Sequence, residues 1–138
     1  MTPKSVKIIS AVALAVSFFA TSAPVYVGDA AEGEHVFRKC HSCHRVGDDA
    51  KNATGPVLNQ VIGRTAGTYP DFKYGDDMIA AGAAGLVWDE TNIQEYIADP
   101  RAFLRTFLDD PSARAKMSFK LRKADDRENV AAYLATLS

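Results

Sequence analysis

Five residues, Cys40-His41-Ser42-Cys43-His44, constrain this chain more than any other feature. Two thiols three positions apart, followed at once by an imidazole, form the C-x-x-C-H spacing of covalent c-type haem attachment. The two sulfurs stand about one helical turn apart, so both can face one ring edge and take up its vinyl groups as thioethers. His44 comes next and is carried towards the iron as proximal ligand. A C-x-x-C pair also serves as a redox dithiol or as half of a zinc site. Zinc would need further ligands, yet the chain has no other cysteine, and His35 and His41 lie beside the motif. A thioredoxin-like dithiol needs a βαβ context, and no alternating strand pattern of useful length occurs. Haem is therefore the favoured reading of the motif.

The N-terminus says where haem would be attached. Lys4 and Lys7 precede a mostly apolar run over residues 8–20, and small residues follow. That is the layout of a secretory signal peptide, here residues 1–30, with cleavage expected between 23 and 30. Thr21-Ser22-Ala23 offers suitable small residues, although Pro24 follows directly, and Ala30 offers a second site. Residues 31–138 then form one domain, expected in the periplasm. The apolar run is short for a membrane span, but Val25-Tyr26-Val27 resumes it, so an uncleaved anchor is the lesser alternative. Export also places the cysteines in an oxidising compartment, where thioether formation is an alternative to pairing. Sixteen Lys and Arg stand against 17 Asp and Glu. Loss of Lys4 and Lys7 makes the remainder more acidic, which argues against nucleic-acid binding.

Apolar periodicity predicts an all-α chain. Asp29-Ala30-Ala31-Glu32 has capping-box spacing and opens a helix through Val36, Phe37 and Cys40. Residues 47–67, rich in Gly, Asn, Asp and Thr, read as loop. A short helix is expected over 76–82. Asp89 caps another, with Ile93, Tyr96 and Ile97 on its buried face, which Asp99-Pro100 ends. The last helix spans 125–137, where Val130, Tyr133, Leu134 and Leu137 form an apolar stripe. Loops this long in a small domain need something large to organise them, and a haem would do so.

The second axial position separates electron transfer from ligand binding or catalysis. Two methionines lie beyond the leader. Met78 falls in the expected 76–82 helix and fits there as a core or helix-surface residue. Met117 stands in Ala115-Lys116-Met117-Ser118-Phe119, a segment without helical periodicity, where a thioether can be presented to iron. Chemistry alone favours Met117. An enzymatic haem protein would need an open sixth site and a distal base, and the histidines beside the motif are poorly placed for that. A ligand-sensing haem bundle would carry its motif near the C-terminus.

The chain resembles class I cytochrome c over essentially its whole length beyond the leader. The resemblance rests on Gly33-Glu34-His35-Val36-Phe37, the Cys40–His44 motif, Thr54-Gly55-Pro56, Ile62-Gly63-Arg64-Thr65-Ala66-Gly67, Asp71-Phe72-Lys73-Tyr74, Trp88, Lys116-Met117-Ser118-Phe119 and Tyr133-Leu134, in that order. The long segment 100–117 and the 63–70 stretch resemble the long bacterial cytochromes c2, isocytochromes c2 especially. The resemblance implies the class I cytochrome c fold, about five short helices and long loops around one haem c. It implies Cys40 and Cys43 as thioether sites and His44 and Met117 as axial ligands. The carbonyl of Pro56 would accept from the distal ring nitrogen of His44. Arg64, Tyr74 and Trp88 would hold a haem propionate, Tyr96 would bond the methionine sulfur, and Phe119 would cover the exposed haem edge. Val57 departs from the family, which usually has Asn there, putting a local loop hydrogen bond in doubt while Asn59 stands nearby.

The implied function is a monomeric, non-enzymatic single-electron carrier. Its implied partners are the cytochrome bc1 complex as donor and a photosynthetic reaction centre or terminal oxidase as acceptor. Docking would be transient and electrostatic, through Lys39, Arg45, Lys116, Lys120, Arg122 and Lys123.

Overall fold

The computed structural model describes residues 27–137. The expected signal peptide, and with it the alternative anchor, lies outside the described residues up to position 26. Five helices are present: α1 (Ala30–Phe37), α2 (Asp76–Ala83), α3 (Glu90–Ala98), α4 (Pro100–Leu108) and α5 (Ala124–Ala135). Among the described residues the only β-pairing is one antiparallel bridge, Thr65 with Val87. No described helix is long and apolar enough to cross a membrane.

α1 starts where the capping signal put it, but by a different device. The Asp29 side chain accepts from the N–H groups of Ala31 and Glu32, relieving two of the helix's orphan donors. The reciprocal bond to the Asp29 N–H comes from Asn129 Oδ1 of α5 at 2.8 Å, not from Glu32. The cap thus doubles as a tertiary contact. Gly33 makes the α1–α5 packing close, since a Cβ there would lie 1.9 Å from the Asn129 carbonyl oxygen. Phe37 and Tyr133 complete the seam with ring centroids 5.4 Å apart.

α3 carries a full capping box, Asp89 with Asn92. It ends at Asp99, as expected, because the next residue is proline. The same Asp99 side chain then caps α4 by accepting from the Ala102 N–H, with Pro100 in the first turn. Periodicity gave no placement for α4. Leu104 is fully buried, and Phe103 stacks on Trp88 at 6.0 Å. Residues 47–67 form the expected loop. One core joins Val36 and Phe37 of α1, Ala81 of α2, Ile93 of α3, Leu104 of α4, Val130 and Leu134 of α5, and Trp88 from the segment before α3.

Candidate haem site

Helical turns run on past the end of α1 and carry the motif. Cys40 N–H donates to Phe37, and both Cys43 N–H and His44 N–H donate to the Cys40 carbonyl, at 3.0 and 2.9 Å. One turn therefore separates the sulfurs, as the spacing requires. The two cysteines are not joined to each other in a disulfide. Burial pushes the Cys40 thiol up to about 11, against the pull of neighbouring Lys39.

His44 is fixed from two sides. Its Nδ1 lies 2.8 Å from the Pro56 carbonyl oxygen. With Nδ1 as the donor, Nε2 is left with its lone pair free to bind a metal. Gly55 lets the backbone lie against the imidazole, for a Cβ there would sit 2.4 Å from the ring's Cε1. Burial lowers the His44 pKa, and nearby Arg64 adds to this, while the Pro56 bond opposes it. The neutral form favoured by burial is the one that ligates.

These groups open on a mainly apolar cavity of about 280 Å³. All ten residues picked from the sequence line it. Cys40, Cys43, His44 and Pro56 form one wall. Met117 and Phe119 come from the 113–123 loop, with Phe119 42% exposed at the surface. That loop is clamped at intervals: Arg114 N–H donates to Asp77, Lys116 Nζ to the Lys73 carbonyl, and Leu121 N–H to the Ile97 carbonyl. Lys120 pairs with Asp99 at 2.5 Å. Met78, read as a core or surface methionine, lines the same cavity.

Arg64, Tyr74 and Trp88 meet at one side. Backbone bonds from Gly63 to Trp88 and from Trp88 back to Arg64 pin the two segments together. The Arg64 guanidinium donates to the Val57 and Asn59 carbonyls and lies 4.7 Å over the Tyr69 ring. That leaves it N–H groups to spare. The Tyr74 hydroxyl accepts from Tyr69 N–H, so its own proton is unspent. Trp88 and Tyr96 are buried, yet neither the indole N–H nor the Tyr96 hydroxyl has a hydrogen-bond partner among the described residues; no polar side-chain atom there is both sealed from space and unpaired. Their polar atoms therefore reach open space at the cavity they line. A large apolar ring with acidic edge groups fits such a site, because its carboxylates need the donors that this side offers.

Tyr96 lines the same cavity. Its hydroxyl forms no bond to the Met117 sulfur. The ring packs instead on Trp88 and Phe103, at 5.0 and 5.7 Å. The rigid neighbour Phe103 comes from α4, which periodicity did not reveal. Val57 departs from the family pattern, and the loop is held by other means. Asn59 bonds Gly47 through both amide atoms, and Asn52 accepts from the Val57 N–H. Asn52 was not singled out from the sequence; only its place in an Asn- and Gly-rich loop hinted at a side-chain brace.

An all-α fold around a cavity that joins a C-x-x-C-H turn to an opposed methionine loop is the class I cytochrome c fold. The cytochrome c family model matches residues 30–138, and the chain belongs to the cytochrome c family. It is 53% identical to cytochrome c-551 of Roseobacter denitrificans, over 93% of this chain and 94% of that protein. It is 48% identical to cytochrome c2 of Rhodobacter capsulatus, over 94% of this chain and 97% of that one. The structure of cytochrome c2 from Rhodospirillum centenum superposes with a TM-score of 0.78 at 50% identity, covering 80% of this chain and 99% of the other. The cofactor is thus haem c, and the chain is a mono-haem electron carrier rather than an enzyme, as its long cytochrome c2 likeness implied.

Proposed function

We propose that the chain is a periplasmic shuttle that takes single electrons from a cytochrome bc1 complex and passes them to a photosynthetic reaction centre or terminal oxidase. The convergence of all ten chosen residues on one cavity carries this reading. In it, residues up to about 23–30 are a cleaved signal peptide and the remainder folds as the cytochrome domain. Cys40 and Cys43 would hold haem c as thioethers, and His44 and Met117 would supply the ligands to its iron. Haem c supplies a one-electron couple, and soft sulfur on one axial side favours the reduced state.

The chain's own residues do the rest. Pro56 holds the His44 tautomer and strengthens its donor nitrogen. Arg64, Tyr74 and Trp88 satisfy an acidic edge group. Tyr96 would donate its hydroxyl to the Met117 sulfur once the methionine is bound to iron. Phe119 offers an apolar contact for partners. With both axial positions filled, no substrate binds at iron.

Two of the six cations implied for docking are in surface ion pairs. Lys39 is paired with Asp126 at 2.8 Å and Lys120 with Asp99. Arg45 Nη1 donates to the His41 and His44 carbonyls and serves the motif turn. Lys116 donates to the Lys73 carbonyl, Lys123 lies near enough to Asp126 to lower its pKa, and both keep their charge beside Arg122 for a partner's acids.

One absorption spectrum of the exported protein tests the core of this reading. Split α and β bands on reduction are expected, with a weak near-infrared sulfur-to-iron band on oxidation. Ready binding of carbon monoxide to the native reduced protein would sink the closed site.

A further inference from the structure

The peptide unit between Pro56 and Val57 is bonded at both ends. Its carbonyl faces His44 Nδ1 at 2.8 Å, and its N–H donates to Asn52 Oδ1 at 3.0 Å. The Asn52 amide is in turn bonded at its far end, where Nδ2 donates to the Pro70 carbonyl at 2.9 Å. Only one amide orientation suits these partners, because Val57 offers a donor and Pro70 an acceptor. Two amides are thus aligned head to tail between Pro70 and His44.

We propose that Asn52 is a positioning residue for the proximal imidazole, acting through the 56–57 peptide to set how strongly Pro56 accepts from His44. Two physical effects act together. The N–H bond to Asn52 fixes the plane of the peptide, and so the aim of its carbonyl. It also polarises the amide, since hydrogen bonds in a chain reinforce one another. A stronger acceptor at Pro56 gives the imidazole more donor strength. Stronger donation favours the oxidised centre, so Asn52 holds the midpoint potential down. The far anchor also matters. Pro70 adjoins Tyr69, whose N–H donates to the Tyr74 hydroxyl, so the relay ties the proximal loop to the side of the cavity that carries Tyr74 and Arg64. Val57 cannot supply such a brace from its own side chain, and Asn52 does so from five residues upstream.

The proposal rests on His44 as proximal ligand, which the wild-type absorption spectrum tests separately. Its own test uses the holoprotein in two variants. Asn52→Ala removes both bonds. It is expected to raise the midpoint potential and to speed exchange of the His44 Nδ1 proton with solvent severalfold, read by NMR of the reduced protein. Asn52→Asp keeps an acceptor for the Val57 N–H and loses the donor to Pro70. It is expected to keep that proton exchanging as slowly as in the wild type. Wild-type potential and exchange in Asn52→Ala would overturn the proposal even if the variant were less stable, because a mere loop brace moves stability alone. Should Asn52→Ala fail to fold, Asn52→Asp decides: slow exchange supports the relay, and exchange faster than wild type overturns it.

Discussion

At the residue scale, chemistry that is local in sequence was the easiest to read. The Cys40–His44 spacing is a property of one helical turn, and the backbone bonds through Cys40 deliver it. The Pro56 carbonyl was legible only through the resemblance to class I cytochrome c, and it faces His44 Nδ1. Asn52 was not legible, since its partners lie five and eighteen residues away. Nor was the packing of Tyr96, whose ring meets Phe103 across the α3–α4 corner. Gly55→Ala drives a methyl into the His44 ring. It should cost about 1–3 kcal/mol in guanidinium unfolding and lower the yield of haem-loaded protein. Both Met78 and Met117 line the cavity, so their roles need separating. In the proposed ligation, Met117→Ala abolishes the near-infrared sulfur-to-iron band, whereas Met78→Ala leaves it in place.

At the element scale, four helices followed from caps and apolar spacing, and α4 did not. Its first residue is Pro100, which reads as the stop of α3. Asp99 reconciles the two, ending one helix and capping the next. The α4 stripe is short and its best-buried residue is a single leucine. Leu104→Ala is expected to cost about 2–5 kcal/mol in chemical denaturation, because the cavity it leaves is walled by other elements. α1 shows the opposite case. Its cap was visible in the sequence, but the Asn129 bond to Asp29 N–H joins residues a hundred positions apart. Asp29→Ala should lose about 1 kcal/mol. A chain that begins at Ala31 should unfold at a lower guanidinium midpoint than one that begins at Gly28, since it lacks the cap.

For the whole molecule, charge and acidity set the expected behaviour. Reduction by an acidic redox partner should slow as ionic strength rises, and a salt-independent stopped-flow rate would remove the basic docking surface. His44 has a folded pKa below its ordinary value of 6.5. The unfolded chain therefore binds more protons below that value, and stability should begin to fall as pH drops beneath about 6.5. Asp99 and Asp126 are held low by hydrogen bonds from Lys120 and Lys39. Their contributions are present above the usual carboxylate pKa and vanish as pH falls through the acid range. Unfolding midpoints measured between pH 7 and pH 3 check both. The sequence by itself pointed to haem c and to the helical class, because a C-x-x-C-H motif and helix caps are written in contacts of one to four residues. The tertiary structure alone decided how the cavity is walled, which cations are ion-paired, and what braces the Pro56 peptide. Those depend on side chains brought together from distant elements, and neither periodicity nor motif spacing records which distant partner a flexible loop will meet.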